Sequence, residues 1–254
     1  MNFGYLLVEG PHDAAFVGKL LRLAGFSRIQ QRNRVATHWD PLIPTTFPHN
    51  GDLLKRMPVP TFYQSKLASI ALHIAIGDGN IANTLQESFA SVPVASISFV
   101  GIILDADSKV TPAARFQALK KLVSEHIADW PDAPGLVAAA PPRTGIYVLP
   151  DNQNHGTLED LLLEAAAITW PETRILARNH VTAATETLSG EDLAEMQKPA
   201  GPNKAIAASI SNLLRPGKAI QVSIEDNDWL TPATLTLPRI AALQTFLHQL
   251  IGLP

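Results

Sequence analysis

The stretch that decides the fold is Phe99-Val100-Gly101-Ile102-Ile103-Leu104-Asp105-Ala106-Asp107-Ser108-Lys109. In it, an unbroken apolar run ends in two acids that are separated by one residue. A strand that is buried on both faces, as in a parallel sheet, has such a run instead of an alternation of apolar and polar residues. Because side chains two apart on a strand point the same way, Asp105 and Asp107 would face one side, about 6–7 Å apart at Cα.

A pair of acids at the end of such a strand favours a cation site. Ligands of open α/β sheets bind at the carboxyl ends of the strands. Two carboxylates placed there repel each other unless a cation lies between them, and a hard divalent cation prefers oxygen ligands. The alternative is that Asp105 and Asp107 only end the strand and cap a turn, since acids are common in turns.

The composition sets broad limits on the class of protein. The 254 residues are 46% hydrophobic and 17% charged, which is enough for one large α/β domain or one domain with an appendage. The net charge of −3 gives no global basic field, so phosphate binding would have to be local or bridged by metal. The absence of cysteine excludes disulfides, zinc–thiolate sites and cysteine nucleophiles. Without a long apolar run or a basic leader, we expect a soluble cytoplasmic protein with no membrane partner.

The pattern along the chain predicts two parts. Residues 1–168 would form an α/β core with a proline-rich insertion at about 36–66. Residues 169–254 would form a mainly helical extension packed on that core. The predicted strands are residues 3–8, 28–31, 67–76, 99–105 and 146–149, with one more at 219–224. The predicted helices include residues 81–90, a helix capped by Thr111, and a last one at 238–251.

Acids follow three of the predicted strands. They are Glu9 with Asp13, Asp105 with Asp107, and Asp151 followed by Glu159 and Asp160. In a parallel sheet these strand ends share one edge, so acids that are remote in sequence would converge. Convergent carboxylates bind Mg²⁺ or Mn²⁺, and such ions stabilise the attacking and leaving oxygens of a phosphodiester.

These residues also resemble a known family. Val8-Glu9-Gly10 with Asp13, and Ile103-Leu104-Asp105-Ala106-Asp107, are similar to the Toprim domain of topoisomerases, primases and overcoming-lysogenization-defect (OLD) nucleases. Leu149-Pro150-Asp151-Asn152, followed by Gly156-Thr157-Leu158-Glu159-Asp160, is similar to stand-alone Toprim-like proteins related to the OLD nucleases. The resemblance covers about residues 3–165. It implies a Toprim-like, mostly parallel sheet of about four or five strands, with helices on both faces and a helical C-terminal extension.

The resemblance also implies roles for individual residues. Metal ligands would be Glu9, Asp13, Asp105, Asp107 and Glu159, and the catalytic residues would be Glu9, Asp105, Asp107 and Lys204. Each has a simpler alternative, since Glu9 and Asp13 would also favour a helix N-terminus and Lys204 would also suit a solvated surface. Asp160 has the spacing of a capping box with Thr157, which leaves Glu159 as the better ligand.

Two departures from the family narrow the function. Lys109 stands where topoisomerases often carry a third acid, and no ATPase loop is present, so ATP dependence would need a separate ATPase or other protein partner. The predicted activity is Mg²⁺- or Mn²⁺-dependent hydrolysis of phosphodiester bonds in DNA or RNA. The alternatives are a non-catalytic Toprim-like module that binds nucleic acid, a nucleotide or a protein, and a phosphotransfer or pyrophosphatase-like enzyme on small nucleotides. A homo-oligomer is left open.

Overall fold

A seven-stranded sheet with helices on both faces forms the centre of the computed structural model, which describes residues 1–46, 59–106 and 110–253. The strands are β1 (Asn2–Val8), β2 (Ser27–Ile29), β3 (Thr61–Gln64), β4 (Ala68–Ile74), β5 (Phe99–Asp105), β6 (Val137–Ala138) and β7 (Arg143–Leu149). The helices are α1 (Pro11–Leu23), α2 (Ile81–Ser91), α3 (Pro112–Val123), α4 (Leu158–Thr169), α5 (Pro171–Thr185), α6 (Gly190–Met196), α7 (Gly201–Leu214), α8 (Ile220–Asp226) and α9 (Pro238–Ile251). The predicted α/β class and helical C-terminal part are confirmed.

The strand order positions the candidate site. The sheet runs β2-β3-β4-β1-β5-β7-β6, and the four central strands β4, β1, β5 and β7 are parallel. Strands β2, β3 and β6 join through antiparallel pairs. The carboxyl ends of the central strands therefore share one edge of the sheet, which we call the carboxyl edge. At this edge Val8 pairs with Ile103, so the residues that follow β1 and β5 are neighbours.

The sheet is wider than the four or five strands predicted. Strand β3 falls inside the predicted insertion at 36–66, and β6 is only two residues long. Both strands are short and antiparallel, and pairing with β4 or β7 defines them more than their own sequence does. Residues 47–58 of the predicted insertion lie outside the described residues.

Alternate residues of the central strands face two separate cores. Leu6 and Val8 of β1 point to the face that α1, α4 and the C-terminal helices cover. Tyr5 and Leu7 point to the face that α2 and α3 cover. The unbroken apolar runs therefore reflect burial on both faces, as the sequence predicts.

The predicted strand at residues 219–224 is wrong, because this segment forms helix α8. Its alternating apolar residues favour a strand, but α8 packs against α1, which supplies partners for its last carbonyls. Lys19 donates a hydrogen bond to Ile224 O, and Arg22 donates one to Glu225 O. Cations at a helix C-terminus stabilise both the orphan carbonyls and the helix dipole. Within the described part of the chain, no helix combines the length and apolar character needed to cross a membrane.

Candidate carboxylate site

A cavity of about 230 Å³ lies at the carboxyl edge, beside the ends of β1 and β5 and the starts of α1 and α4. Five of the predicted site residues line it: Glu9, Asp13, Asp105, Glu159 and Lys204. They come from four segments that are remote in sequence, and the parallel order of β1 and β5 brings the first three together. Asp107, the sixth predicted residue, and Lys109 lie outside the described residues.

Glu9 and Asp105 are direct neighbours at this edge. The backbone N–H of Asp105 donates to Glu9 Oε2 over 3.4 Å. Arg115 of α3 joins them, since its Nη2 lies 3.4 Å from Glu9 Oε2 and its Nε donates to the backbone oxygen of Asp105. The sequence prediction missed Arg115. The sequence could have indicated Arg115, because it lies one turn into α3, and α3 follows β5 at the carboxyl edge.

The Asp105 carboxylate also caps helix α4. Its Oδ1 accepts a hydrogen bond of 3.0 Å from the backbone N–H of Leu158, the first residue of α4. Burial raises the pKa of Asp105 well above its usual value, and the charges of Asp13, Glu9 and Glu159 raise it further. Asp105 is therefore both the cap of helix α4 and a member of the carboxylate cluster.

Asp13 is buried, with 6% of its surface exposed. Its Oδ2 accepts a hydrogen bond of 2.8 Å from the backbone N–H of Gly10 at the start of α1. Burial raises its pKa to about 7, with smaller contributions from the charges of Glu9 and Glu159. Asp13 thus stabilises the start of α1, which is the simpler role that the sequence also allowed. It lines the cavity together with the other carboxylates as well.

Glu159 is 4% exposed and has partners on both oxygens. Thr157 Oγ1 donates to its Oε2 over 2.7 Å, and His12 Nδ1 lies 3.5 Å from its Oε1. Burial acts to raise the pKa of Glu159, but the contacts with His12 and Thr157 and the charge of Lys204 outweigh it, so the pKa lies below its usual value. His12 therefore contributes to this site, although the sequence analysis does not single it out.

Asp160 turns away from the cavity towards the helix start, as the capping-box spacing predicts. Its Oδ2 accepts a hydrogen bond of 2.8 Å from the Thr157 N–H. Its Oδ1 accepts one of 2.9 Å from Asn203 Nδ2. This second bond ties the start of α7 to the start of α4. Lys204, the next residue of α7, consequently lies at the cavity.

Asp151 does not join the cluster, although it follows β7 at the same edge. Its Oδ1 accepts hydrogen bonds from the N–H groups of Gln153 and Asn154, and its Oδ2 lies 2.9 Å from Arg239 Nε. Burial acts to raise its pKa, but these partners outweigh burial and lower it. Asp151 therefore fixes the loop between β7 and α4 and anchors α9.

The donor chemistry of the cavity fits a hard divalent cation. Four carboxylates line the cavity, and the raised pKa values of Asp13 and Asp105 mean that the protein alone does not stabilise their charged forms. Within residues 1–46, 59–106 and 110–253, no three acidic or histidine side chains are already arranged as a metal-binding group. Mg²⁺ keeps several waters and commonly uses one or two carboxylates, so the pair Glu9 and Asp105 fits its needs.

Comparisons with known proteins give a fold and a family. The structure is similar to the crystal structure of the hypothetical protein PH0156 from Pyrococcus horikoshii OT3, with a TM-score of 0.54 and 16% sequence identity over 100% of this chain and 96% of that one. At this identity the likeness concerns the fold alone. No curated protein matches the sequence. A family model described as a protein of unknown function, DUF3226, matches residues 4–252. Since that match spans nearly the whole chain, the chain belongs to the DUF3226 family.

Proposed function

We propose that this protein is a metal-dependent nuclease that hydrolyses phosphodiester bonds of nucleic acid. One observation carries the proposal: four carboxylates from three remote segments line a single cavity together with Lys204. Clustered carboxylates disfavour one another's charged forms, and a bound cation would relieve this repulsion. The Toprim resemblance of the same residues supports the proposal independently of the cavity.

In this proposal the residues that line the cavity bind the metal ion and the phosphate. Glu9 and Asp105 would hold Mg²⁺ or Mn²⁺, with Asp107 as a further ligand that the resemblance implies. Such an ion would supply an activated water and neutralise charge on the phosphate. Arg115 keeps Glu9 and the end of β5 together. Lys204 would place its ammonium beside a phosphate oxygen and stabilise negative charge that develops there.

Asp105→Asn tests the proposal. Asn keeps an oxygen that can accept the Leu158 N–H, but it removes one negative charge from the cavity. We expect cleavage of plasmid, linear or single-stranded substrates in Mg²⁺ or Mn²⁺ to fall by orders of magnitude. Wild type should gain thermal stability in millimolar Mg²⁺ by mass action, and the variant should gain less. Without metal, the variant should melt at the same temperature as wild type or higher, because repulsion is relieved.

Asp132→Asn is the matched control, because Asp132 is fully exposed and pairs with Lys120 far from the cavity. It should behave as wild type in cleavage and in Mg²⁺-dependent melting. If Asp105→Asn instead lowers the melting temperature equally with and without Mg²⁺ and leaves cleavage normal, Asp105 is a structural cap. The non-catalytic binding module would then be the better function.

A further inference from the structure

The charged side chains of residues 14–39 are all positive. This segment runs from α1 past β2 and contains five lysines and arginines but no acid. They are Lys19, Arg22, Arg28, Arg32 and Arg34. In a chain with a net charge of −3, such a segment needs a structural or functional account.

The structure explains three of the five cations. Lys19 and Arg22 donate hydrogen bonds to carbonyls at the end of α8. Arg28 Nη1 forms an ion pair of 2.8 Å with Glu225 Oε2 of the same helix. Arg32 and Arg34 have no ion pair with another described residue, and both are exposed. Contacts with α8 therefore do not explain why Arg32 and Arg34 are present.

Arg32 and Arg34 belong to a run of exposed hydrogen-bond donors. Residues 30–34 are Gln30, Gln31, Arg32, Asn33 and Arg34, and all five are exposed. Each side chain carries N–H groups, and none carries negative charge. Within the described residues, none of these side chains forms a hydrogen bond or ion pair. A run of this kind matches the oxygens of phosphates and sugars, which receive most protein–nucleic acid hydrogen bonds.

The topology directs the start of this run towards the edge of the sheet that holds the cavity. Ile29 of β2 aligns with Phe62 of β3, which aligns with Ala71 of β4. Since both pairings are antiparallel, β2 runs in the same direction as β4, towards the carboxyl edge. Gln30 and Gln31 follow β2 in that direction, and Arg32–Arg34 form a single 3-10 turn directly after them. Three strand spacings separate β2 from β1, which is about 14 Å.

From this placement we propose that residues 30–34 form a phosphate-binding track for a nucleic-acid strand that enters the carboxylate cavity. The inference rests on the proposed function and specifies its substrate as a polymer. A strand of duplex presents a phosphate about every 3.4 Å, so the distance to the cavity corresponds to roughly four base pairs. A mononucleotide or dinucleotide in the cavity would not reach Arg32 or Arg34. The loop residues Ile76 and Gly77, which follow β4, lie between the two ends of this path.

The test compares two double variants of equal charge change. Arg32→Gln/Arg34→Gln removes the charges of the track and keeps N–H donors. The control, Lys66→Gln/Arg178→Gln, removes two exposed charges from the β3–β4 turn at the opposite edge and from α5. Binding of a labelled single-stranded DNA of about 20 nucleotides is measured in EDTA, so that neither metal nor cleavage contributes. We expect about tenfold weaker binding of the track variant at about 50 mM NaCl, and a log–log salt slope that is smaller by about 1.4.

The outcomes separate the track from the nuclease. The control should bind as wild type does, and hydrolysis of the small substrate bis(p-nitrophenyl) phosphate should be the same in all three proteins. Equal binding by the track and control variants, or no binding by wild type at low salt, overturns the track. Selective loss of binding in the track variant, with no hydrolysis of any substrate by wild type, supports the track and overturns the nuclease.

Discussion

Asp105 ends β5 with both its backbone and its side chain engaged. Its N–H contacts Glu9, its backbone oxygen accepts from Arg115, and its Oδ1 caps α4. Asp13 is held in a similar way by the Gly10 N–H. These backbone contacts fix the carboxylates in place although their charges repel one another. The fold itself therefore sets the positions of these carboxylates.

The raised pKa values predict how stability depends on pH. The pKa of Asp13 rises from its usual 3.8 to about 7 in the folded chain, and that of Asp105 is raised as well. Between pH 3.8 and about pH 7, Asp13 holds its proton in the folded chain more than in the unfolded chain. The free energy of unfolding therefore falls as pH rises through this range. We expect urea denaturation in EDTA to show a loss on the order of 1–4 kcal/mol between about pH 5 and about pH 8.

Asp13→Asn is the variant that checks this slope. Asn keeps an acceptor for the Gly10 N–H but does not titrate, so the slope should become flatter. Asp132→Asn should keep the wild-type slope. The lowered pKa of Asp151 acts in another window, because its stabilisation is lost only as pH falls below the usual range of an aspartate. An unchanged slope in Asp13→Asn would contradict the assignment.

At the scale of elements, the site depends on where two helices begin. The capping box of α4 turns Asp160 towards the helix start and leaves Glu159 at the cavity. Asn203 then joins α7 to Asp160, which places Lys204 at the same cavity as Glu159. The contact between α4 and α7 therefore determines the position of the Lys204 ammonium group, which the sequence of α7 alone does not reveal.

Asn203→Ala tests this arrangement. The variant removes the amide that bonds Asp160 and should cost about 1 kcal/mol of stability. If Asn203 acts through Lys204, cleavage should fall, and the double variant Asn203→Ala/Lys204→Ala should cleave no worse than Lys204→Ala alone. Asn179→Ala, on the exposed surface of α5, is the control and should leave cleavage unchanged. Additive losses in the double variant would show that Asn203 acts independently of Lys204.

At the scale of the whole molecule, the C-terminal helices form part of the main core. A Cβ built at Gly101 of β5 would lie 2.4 Å from Leu250 Cδ2, and one at Gly145 of β7 would lie 2.6 Å from Phe246 Cε2. Helix α9 thus packs directly on the two glycines, and its side chains fill the space that a larger residue would need. The same hydrophobic cluster includes Leu6 of β1 and Trp229.

Leu250→Ala should therefore destabilise the whole protein. Leu250 is fully buried, so the change should lower the free energy of unfolding by about 2–5 kcal/mol. Leu213→Ala makes the same chemical change at a side chain that is 64% exposed, and it should cost less than about 0.5 kcal/mol. Urea denaturation followed by circular dichroism measures both. Two separate transitions, with only one shifted by Leu250→Ala, would contradict a shared core.

Local sequence determined much of the fold. The apolar runs of β1, β4, β5 and β7, the helix at 238–251 and the cap at Thr111 all follow from spacing within one element. The capping box at Thr157 and Asp160 was readable for the same reason, since its two residues are three apart. The acids at the ends of β1 and β5 were also readable, because strands buried on both faces indicate a parallel sheet.

Tertiary structure decided the rest, since the deciding partner is distant in sequence. Residues 219–224 alternate like a strand but form α8, because α1 supplies cations for its last carbonyls. Strand β3 is defined by its pairing with β4, and the contacts of Arg115 with Glu9 and of Asn203 with Asp160 span 106 and 43 residues. Sequence alone therefore indicated that Glu9 and Asp105 lie at the carboxyl edge. Only the folded chain, which brings remote helix starts together, decided which cations and hydrogen-bond donors meet them there.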